Sequence, residues 1–269
     1  MRPKPPVPSS IQPLPAPPRD SRKTRVHSGP VLLGLVALCL GGCIAIQRRA
    51  LYHPTHRTSS GELTPWFSGT AAIGCSREVD DPGAVWLLLH GNAGQAADRA
   101  YALPRFSPRD SVYILEYPGY GPRPGRPSPG TINAAAREAY GILRRAFPGK
   151  PVGVVGESLG TGPACLLTRE PLPPDKLVLV NPYESIAEVA EEHAALLPSR
   201  LVFASTWDNR KALAGYRGAV AIFSAEHDTL IPVRHGRTLA DLLPQAQFTV
   251  IPGGHNDWPR QSALKIRFP

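Results

Sequence analysis

The sequence predicts an α/β fold, with a mostly parallel central sheet and helices on both of its faces. Short apolar runs recur along the chain, as strands covered on both sides should. Segments with helical periodicity separate them, which is the alternation that builds a parallel sheet. A third observation narrows the class. Gly156-Glu157-Ser158-Leu159-Gly160 follows one apolar run and precedes a helical segment, so a serine sits on a sharp strand-to-helix turn between two glycines.

The strands are expected at 86–89 (Trp86-Leu87-Leu88-Leu89), 112–115, 152–155, 177–180, 220–223 and 248–251. One or two short leading strands are expected within 62–84. The clearest helix is 131–147, where Ile132, Ala136, Ala139, Tyr140, Leu143 and Phe147 form one stripe and Arg137, Glu138, Arg144 and Arg145 fall outside it. Helices are also expected at 158–168, 186–197 and 237–243. No internal repeat is present.

A chain of 269 residues with 42% apolar content can bury one sizeable core. The formal charge of +9 is concentrated at the start: residues 1–30 carry Arg2, Lys4, Arg19, Arg22, Lys23 and Arg25 against Asp20 alone. No basic stripe interleaved with aromatics occurs, which argues against nucleic-acid binding. Eight prolines fall within the first 18 residues. This Pro-rich, basic segment, 1–30, cannot pack a core, and is expected to be disordered or the product of a start codon placed too early.

Residues 31–43 follow as a membrane-targeting segment: a positive region, an apolar run, then small residues. Leu40-Gly41-Gly42-Cys43 resembles the bacterial lipobox, which makes Cys43 a lipidation candidate. The alternatives are an uncleaved anchor over 31–46, about 16 residues against the roughly 20 needed to span, or a buried helix. Lipoprotein and anchor both tether the remaining domain, 51–269, to a membrane outside the cytoplasm. Of the four cysteines, Cys75 and Cys165 remain for that domain. They read as two separate thiols, with one disulfide as the alternative. No paired Cys/His spacing suggests a metal.

A nucleophilic serine needs a base, an orienting carboxylate and an oxyanion hole. On an open α/β sheet these gather at the carboxyl ends of strands. After the 220–223 run stands Ala225-Glu226-His227-Asp228; Asp228 is the candidate carboxylate and Glu226 the alternative. After the last strand stands Gly253-Gly254-His255; His255 is the candidate base and His227 the alternative. The oxyanion donors expected are the backbone amides of Leu159, next to the nucleophile, and of Asn92, in the loop His90-Gly91-Asn92 after strand 86–89. His90 and Gly91 are expected to shape that loop, and Gly156 and Gly160 to permit the turn. His53, His56, His193 and His235 have no motif around them and default to surface or structural roles.

Together, His90-Gly91-Asn92-Ala93-Gly94, Tyr117-Pro118-Gly119-Tyr120-Gly121, 156–160, Asp228 with Ile231-Pro232, and Gly254-His255-Asn256-Asp257 resemble the α/β-hydrolase superfamily. Leu51-Tyr52-His53-Pro54 fits its small membrane-associated serine hydrolases, which include acyl-thioesterases and lysophospholipid or monoacylglycerol hydrolases. The resemblance spans about residues 51–259. It implies an α/β-hydrolase fold with a minimal cap over 182–215, acyl transfer to water through Ser158, no cofactor, and a small-molecule or lipid-like acyl substrate. Leu196, Leu197, Leu201, Val202 and Phe203 would supply apolar surface in the cap. Three features depart from the pattern. Tyr117-Pro118 replaces a frequent Tyr-Arg, 55–84 is short for the leading strands, and the tail after Trp258 leaves room only for a stunted closing helix. A serine peptidase or amidase of the same fold, or a non-catalytic binding protein, are the competing readings.

Overall fold

The computed structural model describes residues 1, 41–42, 45–46, 48–57, 61–194 and 198–268. Most of the apolar run from Val31, with Cys43, lies outside the described residues. Among the described residues no helix is long and apolar enough to cross a membrane.

Eight strands form one sheet: β1 Thr64–Ser68, β2 Ala71–Arg77, β3 Val85–Leu89, β4 Ser111–Leu115, β5 Val152–Glu157, β6 Lys176–Val180, β7 Ala219–Ala225 and β8 Ala246–Ile251. Their order across the sheet is β8-β7-β6-β5-β3-β4-β2-β1. β3 to β8 run parallel to one another. β2 alone is antiparallel to both of its neighbours, β1 and β4. Both leading strands therefore form despite the short chain available to them, joined by the tight turn at Gly69, which has φ +59°. All five residues of β3 and of β4 are buried, which is why they read as unbroken apolar runs. β8, at the sheet edge, buries only Ile251.

The helices are α1 Pro129–Ala146, α2 Thr161–Leu166, α3 Ile186–His193, α4 Ser199–Val202, α5 Asn209–Leu213 and α6 Val233–Asp241. Ser128 caps α1, accepting the Thr131 amide while the Thr131 hydroxyl reaches back to the Ser128 amide. The expected helix 158–168 is one continuous helical run in which 3-10 turns flank α2. The helix expected over 186–197 stops at His193, because Ala194 leaves the helical conformation; residues 195–197, with Leu196 and Leu197, lie outside the described residues. The helix expected at 237–243 starts a turn earlier, at Val233, behind Pro232. Proline is tolerated there because its missing N–H falls where a helix start leaves donors unsatisfied.

One sheet face packs Leu87, Leu89, Val154, Leu177, Leu179 and Ile222 against α1, α2 and α6. The other face is covered by a 3-10 helix and by the tail of the chain. Trp86, Leu88, Val155, Val178 and Phe223 lie under Ala102 and Leu103 of the 3-10 segment Ala96–Arg105, under Phe106 just after it, and under Trp258, Leu264 and Ile266 of the tail. Pro104 interrupts that segment's hydrogen bonding. Among its described residues the tail forms the 3-10 turn Trp258–Arg260 and a bridge from Ile266 to Phe106. Gly153 belongs to the same packing: a Cβ there would run into the Trp86 ring. The indole of Trp86 donates to buried Asp110 over 2.9 Å.

Candidate active site

The turn at Ser158 has the geometry its glycines suggest. Ser158 has φ +51°, a left-handed conformation costing a non-glycine residue roughly 1–2 kcal/mol. A Cβ on Gly156 would stand 2.7 Å from the Thr161 Cα and 2.8 Å from the Ala164 Cβ. One on Gly160 would press on the Leu89 carbonyl oxygen, 2.5 Å from its carbon and 2.7 Å from the His90 oxygen. Real Cβ atoms do not sit at such distances, so both positions exclude any other residue without backbone movement.

Three strand ends bring the polar groups together. His255 Nε2 lies 2.9 Å from Ser158 Oγ, and Nδ1 lies 2.6 Å from Asp228 Oδ2. A carboxylate only accepts, so Nδ1–H donates to Asp228 and leaves Nε2 free to accept the serine hydroxyl. The Asp228 side chain is fully buried and His255 is 16% exposed. Asp228 Oδ1 accepts the amides of Leu230 and Ile231, each at 2.8 Å, which aims the other oxygen at the imidazole. Glu226 and His227 are excluded from this arrangement. Their side chains are 59% and 76% exposed and face one another, 4.0 Å apart.

The loop after β3 is anchored from several sides. The Asn92 carbonyl accepts the His53 amide at 2.9 Å and the Tyr120 hydroxyl at 2.8 Å. His53-Pro54 pairs in parallel with Ala93-Gly94, so segment 51–54 straps this loop. His90 is fully buried, and Nδ1–H donates to the Gly91 carbonyl over 2.8 Å. Burial holds the imidazole below its usual range, so it stays neutral, and its ring stacks on Tyr117 at 4.2 Å. These contacts tie His90 into the loop. Tyr117 donates to the His90 carbonyl at 2.8 Å, which gives the Tyr-Pro-Gly-Tyr-Gly motif its local purpose.

An apolar cavity of about 250 Å³ opens on Ser158, with Asn92 and Leu159 at one end. Tyr183, Ile186, Val189, Ala190 and Phe203 from segment 182–215 form one wall, and Leu51, Leu230 and Ile231 close it. Of the apolar residues expected there, Phe203 lines the cavity, Val202 is buried in the core, and Leu201 is 72% exposed. His193 also lines it and donates from Nε2 to the Leu230 carbonyl at 2.8 Å, tying α3 to the Asp228 loop. Cys75 and Cys165 are separate free thiols; burial pushes Cys75 up to about 11 and Cys165 higher still.

Some of the support is not evident in the sequence. Buried Glu116 accepts the Ala96 amide with both oxygens at 3.1 Å. Buried Glu157, next to the serine, accepts the Trp258 indole at 3.1 Å and the Tyr101 hydroxyl at 3.2 Å. Asn181, at the end of β6, bonds to the backbone of His255 and of β7. The available signal was position alone: a polar residue at the carboxyl end of a parallel strand.

The sequence pattern of the alpha/beta hydrolase family matches residues 86–266. The chain belongs to that family. It is 30% identical over 254 residues to an uncharacterized protein of Mycobacterium tuberculosis, covering 84% of this chain and 88% of the relative. It is 29% identical over 210 residues to a lysophosphatidylserine lipase, ABHD12, of Danio rerio, covering 66% of this chain and 55% of that protein. Among solved structures, an esterase of Pyrococcus furiosus superposes with a TM-score of 0.57 at 14% identity, over 78% of this chain and 94% of the esterase. The thioesterase domain from the curacin biosynthetic pathway gives 0.53 at 16% identity, over 74% and 95%. At these identities the structures share the fold. The family supports a hydrolase with esterase- and lipase-like relatives.

Proposed function

We propose that the protein is a serine hydrolase cleaving carboxylic esters or thioesters that carry an apolar acyl chain. The unbroken hydrogen-bonded line Ser158–His255–Asp228 carries this reading. His255 takes the Ser158 proton as Oγ attacks the acyl carbon, and Asp228 holds the imidazole and balances its charge. The amides of Asn92 and Leu159 receive the oxyanion, where each donor is worth about 10²–10³ in kcat. His255 then protonates the leaving group, and water, activated by the same imidazole, releases the acyl group from Ser158.

The apolar cavity supports a lipid-like acyl chain, and the lysophosphatidylserine lipase relatives make lysophospholipid-type esters the first to try. Labelling with a fluorophosphonate tests the reading. Wild type should react and Ser158→Ala should not; an unreactive folded wild type would instead favour a non-catalytic binding protein. Ester, thioester and peptide-amide panels then separate the remaining classes. The sequence of 31–43 further supports attachment to a membrane outside the cytoplasm through lipid on Cys43. A mature protein that takes up no labelled fatty acid would rule that out.

A further inference from the structure

We infer that Asn181 is a positioning residue for His255, holding the base in line between Ser158 and Asp228. This rests on the reading of Ser158 as the nucleophile. The loop that carries His255 opens with Gly253, at φ +92°, and Gly254. Its own Asp257 accepts the Gly254 amide at 2.9 Å, and the Gly253 carbonyl accepts the His227 amide at 2.9 Å. Neither bond is made to His255 itself, so a further tie is needed to fix the height of the imidazole.

Asn181 is placed to do so. It directly follows β6, next to the strand that leads to Asp228, and is 1% exposed. Its Nδ2 donates to the His255 carbonyl at 2.7 Å, and its Oδ1 accepts the Ala225 amide at 2.8 Å. Its own amide donates to the Phe223 carbonyl at 2.7 Å. One carboxamide thus joins the backbone of His255 to the end of β7, from which the Asp228 loop departs. The two groups that must meet at 2.6 Å, His255 and Asp228, are tied through a common anchor.

The residue type is constrained in two ways. One partner is a carbonyl and the other an amide, so the side chain must offer a donor and an acceptor at once; a carboxylate offers only acceptors. The backbone sits at φ +48°, a left-handed conformation that asparagine accepts better than most residues and glycine accepts freely. Asparagine satisfies both.

Two substitutions separate positioning from simple support of the fold. Asn181→Gly keeps the left-handed turn without strain and removes only the tie. It is expected to fold, and to lose kcat and the fluorophosphonate labelling rate by about 10- to 100-fold with KM unchanged, because small misplacements of a base are costly. Its pH profile should keep the wild-type acid limb. Asn181→Asp sets a carboxylate oxygen against the His255 carbonyl and adds negative charge near the imidazole. It should lose kcat and also shift the acid limb of kcat/KM to higher pH, since a nearby anion favours the imidazolium. A merely structural role would lower Tm in both variants and leave the kcat of Asn181→Gly in place. Folded Asn181→Gly that labels as fast as a reactive wild type would overturn the inference. A wild type that does not label at Ser158 would instead overturn the reading on which it rests.

Discussion

Gly160→Ala probes the turn most directly. The new Cβ would press on the Leu89 carbonyl oxygen, 2.5 Å from the Leu89 carbonyl carbon and 2.7 Å from the His90 oxygen. Ordinary carbon contacts start near 3.5 Å, so these backbone atoms must retreat by about 1 Å. Every atom in the way is main chain, and no rotamer change relieves it. The strain is expected to cost about 1–3 kcal/mol of stability. The catalytic cost is larger in effect. Leu89 and His90 lead into Asn92, so the movement separates the Asn92 amide from the Leu159 amide, and a shift of about 1 Å is enough to lower kcat roughly 10²-fold. A short-chain ester assay, with thermal melting alongside, measures both. If Gly160→Ala kept Tm and kcat/KM at wild-type values, the account of the turn as a clamp between elbow and oxyanion loop would be wrong.

Asp228→Asn keeps the acceptor for the Leu230 and Ile231 amides but turns an N–H toward His255 Nδ1, forcing the wrong tautomer. kcat should fall about 10⁴-fold with little change in Tm. Glu226→Gln and His227→Ala, both exposed, should stay within about twofold of wild type in the same assay. Ala190→Trp fills the apolar cavity, and should lower kcat/KM for long acyl esters at least about 10-fold relative to acetyl esters. His90 and His235 are held below the ordinary imidazole range, chiefly by burial. The unfolded chain therefore binds protons that the fold refuses, and stability should fall as pH drops below about 6.5. Melting curves from pH 7.5 to 5 check the sign, and His90→Asn should flatten the slope.

Much of this molecule can be read from local signals. The buried strands have no exposed face, so β3, β4 and β6 stand out as apolar runs. Ser158 and Asp228 each follow such a run and His255 follows the edge strand β8; Gly156 is forced by contacts near in sequence, with Thr161 and Ala164, whereas Gly160 is forced by Leu89 and His90 of a distant loop. The harder features depend on partners far along the chain. Glu157 meets Trp258, and Asn181 meets His255, only because the sheet places β5, β6 and the final loop side by side. Nothing in the local sequence distinguishes Asn181 from a turn residue before Pro182. The cover of the second sheet face is hard to read from the sequence for a related reason. Ala96–Arg105 lacks a long amphipathic stripe and contains Pro104, and packs through a few small and apolar residues rather than as a regular helix.

Apart from Leu230 and Ile231 beside Asp228, the apolar walls of the cavity come largely from different stretches of chain than the reacting groups. Ile186, Val189, Ala190 and Phe203 belong to the segment after β6, and Leu51 to the strap ahead of β1, whereas Ser158 and His255 follow β5 and β8. Chemistry and fit are therefore separable in inheritance. An insertion, deletion or exchange within 182–215 would reshape what the cavity admits while leaving the bond-breaking geometry where it is. A descendant of this chain could change its diet without having to reinvent its teeth.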